Sequence, residues 1–282
     1  MKCKITGNKI NSFMTFGKMP IANGFVNKEN FNKEYFFEME VGFNEELSLF
    51  QLNDHPKPEK MFNENYPFFT GSSEFMKDHF KEYADFVKKN YLNSNSKIVE
   101  IGSNDGTFLK NFTDNKKNII GFEPSNNVAE IAKNNHIPII NDFFNTENAS
   151  KLSEFLGNTD LVCASNVICH VPDLNNLVEA IDLILNKSGT FIFEEPYLGS
   201  MFNKVSYDQI YDEHIFIFSA TSIKNIFARY NFDLIDAIPQ TTHGGSMRYI
   251  IKRKNVAFQT KNLINILNNE KKIKLDKIDS CL

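Results

Sequence analysis

The sequence predicts an α/β fold built on a doubly wound parallel sheet. Three observations point there. Short apolar runs recur from residue 97 onward, stretches of helical period separate most of them, and Gly, Asn and Pro punctuate the junctions.

The elements follow in order. Residues 1–57 alternate short β-like runs (Ser12–Phe16, Phe36–Phe43, Leu47–Leu52) with Gly, Pro and Asn turns, ending in Asn53-Asp54-His55-Pro56-Lys57-Pro58. So few short strands bury little apolar surface, so this segment needs support from the main domain or from a metal. From residue 72 the period becomes helical: Phe75, Met76, His79, Phe80, Tyr83, Phe86 and Val87 form one stripe, with Ser72 or Ser73 able to cap it. Strands are then expected at 97–102, 118–123, 137–140, 160–165 and 189–194, with helices at 107–112, 126–134 and 174–185. A capped helix at 221–230 and a closing strand pair, 232–238 with 248–253, complete the core. The tail, Lys261–Asp276, is rich in Lys and Asn, with Leu263, Ile264, Ile266 and Leu267 as its apolar residues.

Composition narrows the function classes. The 282 residues suit one large domain with an appendage, and 41% hydrophobic with 23% charged residues is enough to bury a core, which excludes disorder and disulfide scaffolds. A net charge of -4 argues against a nucleic-acid binder. No apolar run approaches the roughly 20 residues a bilayer span requires, and Met1–Gly7 lacks the apolar stretch of a signal peptide. Cys3, Cys163, Cys169 and Cys281 have no framework spacing, so the expectation is reduced thiols in a cytoplasmic monomer with no membrane partner.

Two blocks carry chemistry. In Val99-Glu100-Ile101-Gly102-Ser103-Asn104-Asp105-Gly106, glycines at the carboxyl end of a strand let a ligand approach the backbone. The spacing is Gly-x-x-x-Gly rather than that of dinucleotide binders, and Glu100 and Asp105 would repel a pyrophosphate while suiting a cationic amino acid and sulfonium. The loop resembles the S-adenosylmethionine loop of class I methyltransferases. Glu123, in Glu123-Pro124-Ser125 at the end of the next strand, can accept both ribose hydroxyls. Asp142 is placed to accept from an adenine amino group beside Phe143, and Asn166 to His170 would line the cofactor's methyl end. Taken singly, each has an ordinary alternative: a surface carboxylate, a core Phe, a satisfied His. The second block runs from Glu194-Glu195-Pro196-Tyr197 through Tyr207-Asp208-Gln209-Ile210-Tyr211-Asp212-Glu213-His214. Its density of titratable groups marks a catalytic loop or, alternatively, a solvated helix-terminal turn.

Val-Glu-Ile-Gly-x-Asn-Asp-Gly, Glu-Pro-Ser, Cys-His-Val-Pro, the Tyr-Asp-Glu-His block and His243-Gly244-Gly245-Ser246-Met247-Arg248 occur in that order. Together they resemble the deoxysugar C-methyltransferases, which methylate C3 of a nucleotide-linked 4-keto-6-deoxyhexose. The resemblance implies a Rossmann-like class I methyltransferase core at 58–240, a zinc-binding-type β domain at 1–57 and the start of a truncated sugar-nucleotide domain at 241–282. It implies S-adenosylmethionine held by Glu100, Gly102, Asn104, Asp105, Gly106, Glu123, Pro124, Ser125, Asp142, Phe143 and Asn166. His214 is then the base, Glu213 its orienting carboxylate or a sugar ligand, and Tyr211 and His170 flank the sugar. Tyr66, Tyr197, His243 and Arg248 go to the sugar nucleotide. The zinc pattern departs from the family: only Cys3 remains of two Cys-x-x-Cys pairs, and one thiolate cannot close a tetrahedral site. Loss of the zinc is expected, with Phe16, Phe25, Phe43 and Phe50 holding the segment by packing. The rival readings are a degenerate, non-catalytic protein of this fold, or an enzyme of the fold acting on another keto sugar or at oxygen.

Overall fold

In a computed structural model the chain is described over residues 1–280, with 113–117 and 280 described by backbone alone; Cys281 lies outside the described residues. In chain order it forms β1 (Asn11–Pro20), β2 (Phe36–Asn44), β3 (Leu49–Leu52), α1 (Pro58–Met61), α2 (Glu74–Tyr91), β4 (Ile98–Ile101), β5 (Ile119–Phe122), α3 (Asn126–Asn134) and β6 (Ile139–Ile140). There follow α4 (Thr146–Ser150), β7 (Thr159–Ser165), α5 (Leu174–Ile184), β8 (Leu185–Pro196), α6 (Leu198–Lys204), β9 (Phe216–Ile217), α7 (Ala220–Ala228), β10 (Phe232–Gln240), β11 (Ser246–Arg253) and α8 (Lys261–Lys272). The chain divides into two compact units, each discontinuous in sequence.

One unit comprises 62–167 and 175–193. Its strand order is β8-β7-β4-β5-β6, and β4 pairs in parallel with both β5 and β7. The register sets Ile101 level with Phe122 and Ala164, and Phe122 level with Ile140. Successive loops therefore leave the sheet at one carboxyl edge, where ligands bind in such folds. The α/β doubly wound expectation holds. Ser73 is the cap of α2, accepting from Met76 N, and the buried stripe is Met76, His79, Phe80, Tyr83, Ala84 and Val87. Tyr83 OH donates to the Ile192 carbonyl of β8. Phe75 does not join that stripe: it is 59% exposed. The helix expected at 107–112 is instead a 3-10 segment, Leu109–Asn118. There the Asn111 amide donates to the carbonyls of Thr107 and Phe108, and side-chain bonding of this kind competes with α-helical bonding.

The other unit comprises 1–61, 168–174 and the chain from Glu194 on. Its antiparallel sheet has the order β1-β2-β3-β9. Phe37, Met39, Val41, Phe43, Phe50 and Leu52 pack with Leu198, Ile210, Ile217 and Leu275, so the support the N-terminal strands need comes from residues 198–275. Phe43 and Phe50 belong to this core as expected. Phe16 and Phe25 do not, being 36% and 84% exposed; the periodicity of the strand, broken by bulges between Ser12 and Lys18, turns Phe16 outward. β10 and β11 pair as an antiparallel hairpin. Packing thus places residues 241–280 with 194–240, although the three-part division by chain order is a statement about family modules. Among the described residues, no helix is long and apolar enough to cross a membrane, and Cys3, Cys163 and Cys169 are buried and outside any disulfide.

Candidate functional site

The glycine loop closes around three carboxylates. Gly102 and Gly106 have φ of +66° and +78°, and a Cβ on Gly102 would lie 2.3 Å from Val167 Cγ2, so the turn requires glycine there. Glu123, at the end of β5, accepts from Asn104 N at 2.9 Å and from Ser125 N at 2.7 Å, one donor on each oxygen. Each carboxylate oxygen keeps a further lone pair for a ribose hydroxyl. Burial raises its pKa, and the Ser125 and Asn104 hydrogen bonds oppose that. Glu100 is buried in β4, its Oε2 without a partner among the described residues. Burial, then Asp105 and Glu123, push it well above the usual carboxylate range. An orphaned acidic oxygen beside two further carboxylates suits a cationic ligand, and the donor set fits S-adenosylmethionine. Asn166 Oδ1 is also buried without a partner among the described residues.

Asp105 is otherwise engaged. It accepts from Gly71 N at 2.7 Å and from Thr107 Oγ1 at 2.6 Å. The Asn104 amide is likewise bound to the segment before α2, accepting from Thr70 N and donating to the Phe68 carbonyl. Asn127 donates to the Tyr66 carbonyl. Residues 68–71 are therefore tied to the glycine loop and Tyr66 to α3, in the same unit as the cofactor candidates. Asp142 is exposed, accepting from Phe143 N. Phe143 is half-buried, while Phe144 packs on Phe122 with ring centroids 5.0 Å apart. Asn141, which sequence reasoning passed over, donates to the carbonyls of Glu123 and Pro124; its place at a strand end was the available signal.

The second unit holds His170, Tyr197, Tyr211, Glu213, His214, His243 and Arg248. The His170 and His214 rings stack at 5.4 Å, and Tyr211 lies 4.4 Å from His214, centroid to centroid. His214 Nδ1 sits 2.8 Å from the Gln209 carbonyl oxygen. A carbonyl only accepts, so Nδ1 carries the hydrogen and Nε2 the lone pair. Burial lowers His214 to about 4, the Gln209 bond opposing and His243 adding to the effect. His170 is pushed well below its ordinary value by burial and then by His214 and His243. Glu213 moves the other way, to about 7: burial raises it, a hydrogen bond from Asn23 opposes, and Asp212 adds. At neutral pH this cluster holds uncharged imidazoles beside a carboxyl poised between its two forms.

Cys169 Sγ and one nitrogen from each of His170 and His214 lie within 4.8 Å of one another. Burial, then Glu195, raises the Cys169 thiol well above its ordinary value. Two substrate assignments change meaning. The Tyr197 hydroxyl donates to Glu270 at 2.8 Å, and Arg248 is a buried ion pair with Glu194 at 2.6 Å. Neither was visible in sequence, since the partners lie 73 and 54 residues away. His243 is exposed with φ of +48°.

Comparison with known proteins bears on the family and the fold. A family model described as "Putative zinc binding domain" matches residues 3–62. The C-methyltransferase NovU of Streptomyces niveus is 25% identical over 236 residues, 83% of this chain. The chain spans only 56% of that relative's length. Two solved structures share the fold. The PH0226 protein of Pyrococcus horikoshii OT3 has TM-score 0.50 and 15% identity, covering 66% of this chain and 95% of that one. The complex of the Haloferax volcanii Trm112 methyltransferase activator with its "putative methyltransferase" gives 0.51 and 14%, with the same coverage. A family model described as "Methyltransferase domain" matches residues 75–237, more than half the chain and the stretch that holds the glycine loop, Glu123 and His214. The chain belongs to the methyltransferase domain family.

Proposed function

We propose that the protein is an S-adenosylmethionine-dependent C-methyltransferase acting at C3 of a nucleotide-linked 4-keto-6-deoxy sugar. The cluster of buried Glu213 and His214 with the half-buried Tyr211 carries this reading. Carbon methylation needs a base for a hydrogen beside a ketone and a donor for the resulting enolate oxygen. An uncharged His214 with a free Nε2 lone pair, and a Glu213 titrating near 7, are two acceptors held together at neutral pH. In this reading His214 takes the C3 proton, Glu213 receives or shares it, and the Tyr211 hydroxyl donates to the C4 oxygen. Glu100 faces the cofactor's ammonium group and Glu123 its ribose diol. S-adenosylmethionine, when bound, supplies the electrophilic methyl group, which becomes bonded to C3 as its bond to sulfur breaks. The C-methyltransferase name of the Streptomyces niveus relative supports attack by carbon, and the sugar follows from the sequence resemblance.

Calorimetric titration with S-adenosylmethionine, followed by deuterium uptake at C3 of a nucleoside-diphosphate 4-keto-6-deoxyhexose, tests this. Saturable cofactor binding and catalysed uptake are expected. Glu123→Ala should weaken cofactor binding by tenfold or more, since charge-assisted hydrogen bonds are worth about 1.5–3 kcal/mol each. No binding by the wild-type chain, or binding indifferent to Glu123, overturns the cofactor assignment.

A further inference from the structure

The turn after β1 reaches the catalytic loop. Gly24 N bonds to the Ile21 carbonyl, closing a tight turn with Ala22 and Asn23 at its tip. Ala22 N donates to Asp212 Oδ1 at 3.0 Å, and the Asn23 amide donates to Glu213 Oε1 at 2.7 Å. Both partners lie 190 residues away in sequence yet within the same unit. These two bonds fasten consecutive acidic residues of the cluster to consecutive residues of the N-terminal segment. Glu213 and Asp212 are 2% and 1% exposed, so the Asn23 amide holds a carboxylate that water barely reaches. We propose that Asn23 is a positioning residue, which aims the Glu213 carboxylate within the base cluster and sets its proton affinity. This rests on the role of Glu213 in the function proposed above. It also gives the N-terminal segment a reason to persist with one of four zinc cysteines left: it delivers a side chain to the chemistry.

The charge that bears on Glu213 is that of Asp212 beside it, and Glu213 in turn raises the Cys169 thiol of the 168–170 turn. Neither donates to it as Asn23 does, so loss of the amide should show directly in its titration. The experiment follows the Glu213 carboxyl by carbon-13 NMR, assigned with Glu213→Gln, in full-length wild type, Asn23→Leu and Asn23→Gln. Asn23→Leu should raise the midpoint by about one pH unit, and Asn23→Gln, which keeps an amide, should restore part of it. The pH profile of C3 deuterium uptake should move in the same direction. An unmoved Glu213 midpoint in Asn23→Leu overturns the proposal whatever the activity. A shifted midpoint with no C3 uptake in either protein upholds Asn23 and instead rejects the sugar reading. Should Asn23→Leu not fold, the isosteric Asn23→Asp decides: a second carboxylate at 2.7 Å must raise Glu213 further, and an unchanged midpoint again overturns it.

Discussion

Glu123 and Glu213 are both buried carboxylates at loop junctions, but different donors hold them. Glu123 accepts from two peptide N–H groups, which the fold fixes in place. Glu213 has a side-chain amide from a distant segment, and burial has carried it to about 7. Peptide donors make a rigid acceptor suited to binding, where a constant charge is wanted. A single side-chain donor leaves proton affinity adjustable, which suits a group that exchanges protons during a reaction. The two regions differ in how firmly their charge is set more than in their residue types.

Five substitutions or treatments would break or sharpen that contrast. The largest expected effect is on the exchangeable side: His214→Ala should slow C3 deuterium uptake by roughly 10²–10⁴-fold while cofactor affinity stays within error. Equal uptake by variant and wild type would move the base role to Glu213. Gly102→Ala attacks the rigid side. A left-handed turn and a Cβ 2.3 Å from Val167 together should cost about 2–3 kcal/mol in urea unfolding and weaken cofactor binding, with C3 uptake unaffected in the fraction that is folded.

A smaller effect appears in stability against pH. Glu213 has an ordinary value of 4.5 and about 7 when folded, so between these pH values the folded chain keeps a proton the unfolded chain has lost. Its contribution is complete below pH 4.5 and disappears as pH rises to 7. His214, ordinarily 6.5 and about 4 when folded, does the reverse: the unfolded chain gains a proton that the folded chain refuses, and stability falls as pH drops from 6.5 to 4. Between 4.5 and 6.5 the two slopes oppose each other. Relative to wild type, Glu213→Gln should therefore make stability rise with pH in this window, and His214→Asn should make it fall, each by up to about 1.4 kcal/mol per pH unit. Parallel curves for all three proteins would contradict the values assigned to the pair. Smallest of all, an added chelator should leave the melting temperature unmoved, because the N-terminal strands are held by the Phe43, Phe50 and Leu52 core; elemental analysis finding one zinc per chain would reverse this.

The sheet was legible because strand and helix periods are local properties of sequence, and Gly102, Glu123 and Ser73 sit at junctions those periods define. What was hidden depends on partners far along the chain. Nothing in Met19-Pro20-Ile21-Ala22-Asn23 announces Glu213, and Arg248 reads as a free cation until Glu194 is found beside it. Phe16 and Phe25 read as core because aromatic side chains are mostly buried, yet bulges and turns set their directions. The 3-10 segment after Phe108 was missed for a different reason: Asn111 draws on carbonyls that helical periodicity assigns to the backbone.

Glu270 of α8 accepts from Ala220 N, Thr221 N and Thr221 Oγ1 at the start of α7, and from Tyr197 OH ahead of α6. One carboxylate thereby joins three helices that sequence presents as successive pieces. When α8 detaches, the first amides of α7 lose their acceptor in the same event, so the tail and that helix should open together rather than fray in turn. In amide hydrogen exchange, Ala220 and Thr221 would share the opening free energy of α8, and a protease cutting within 261–272 would gain access to α7 as well.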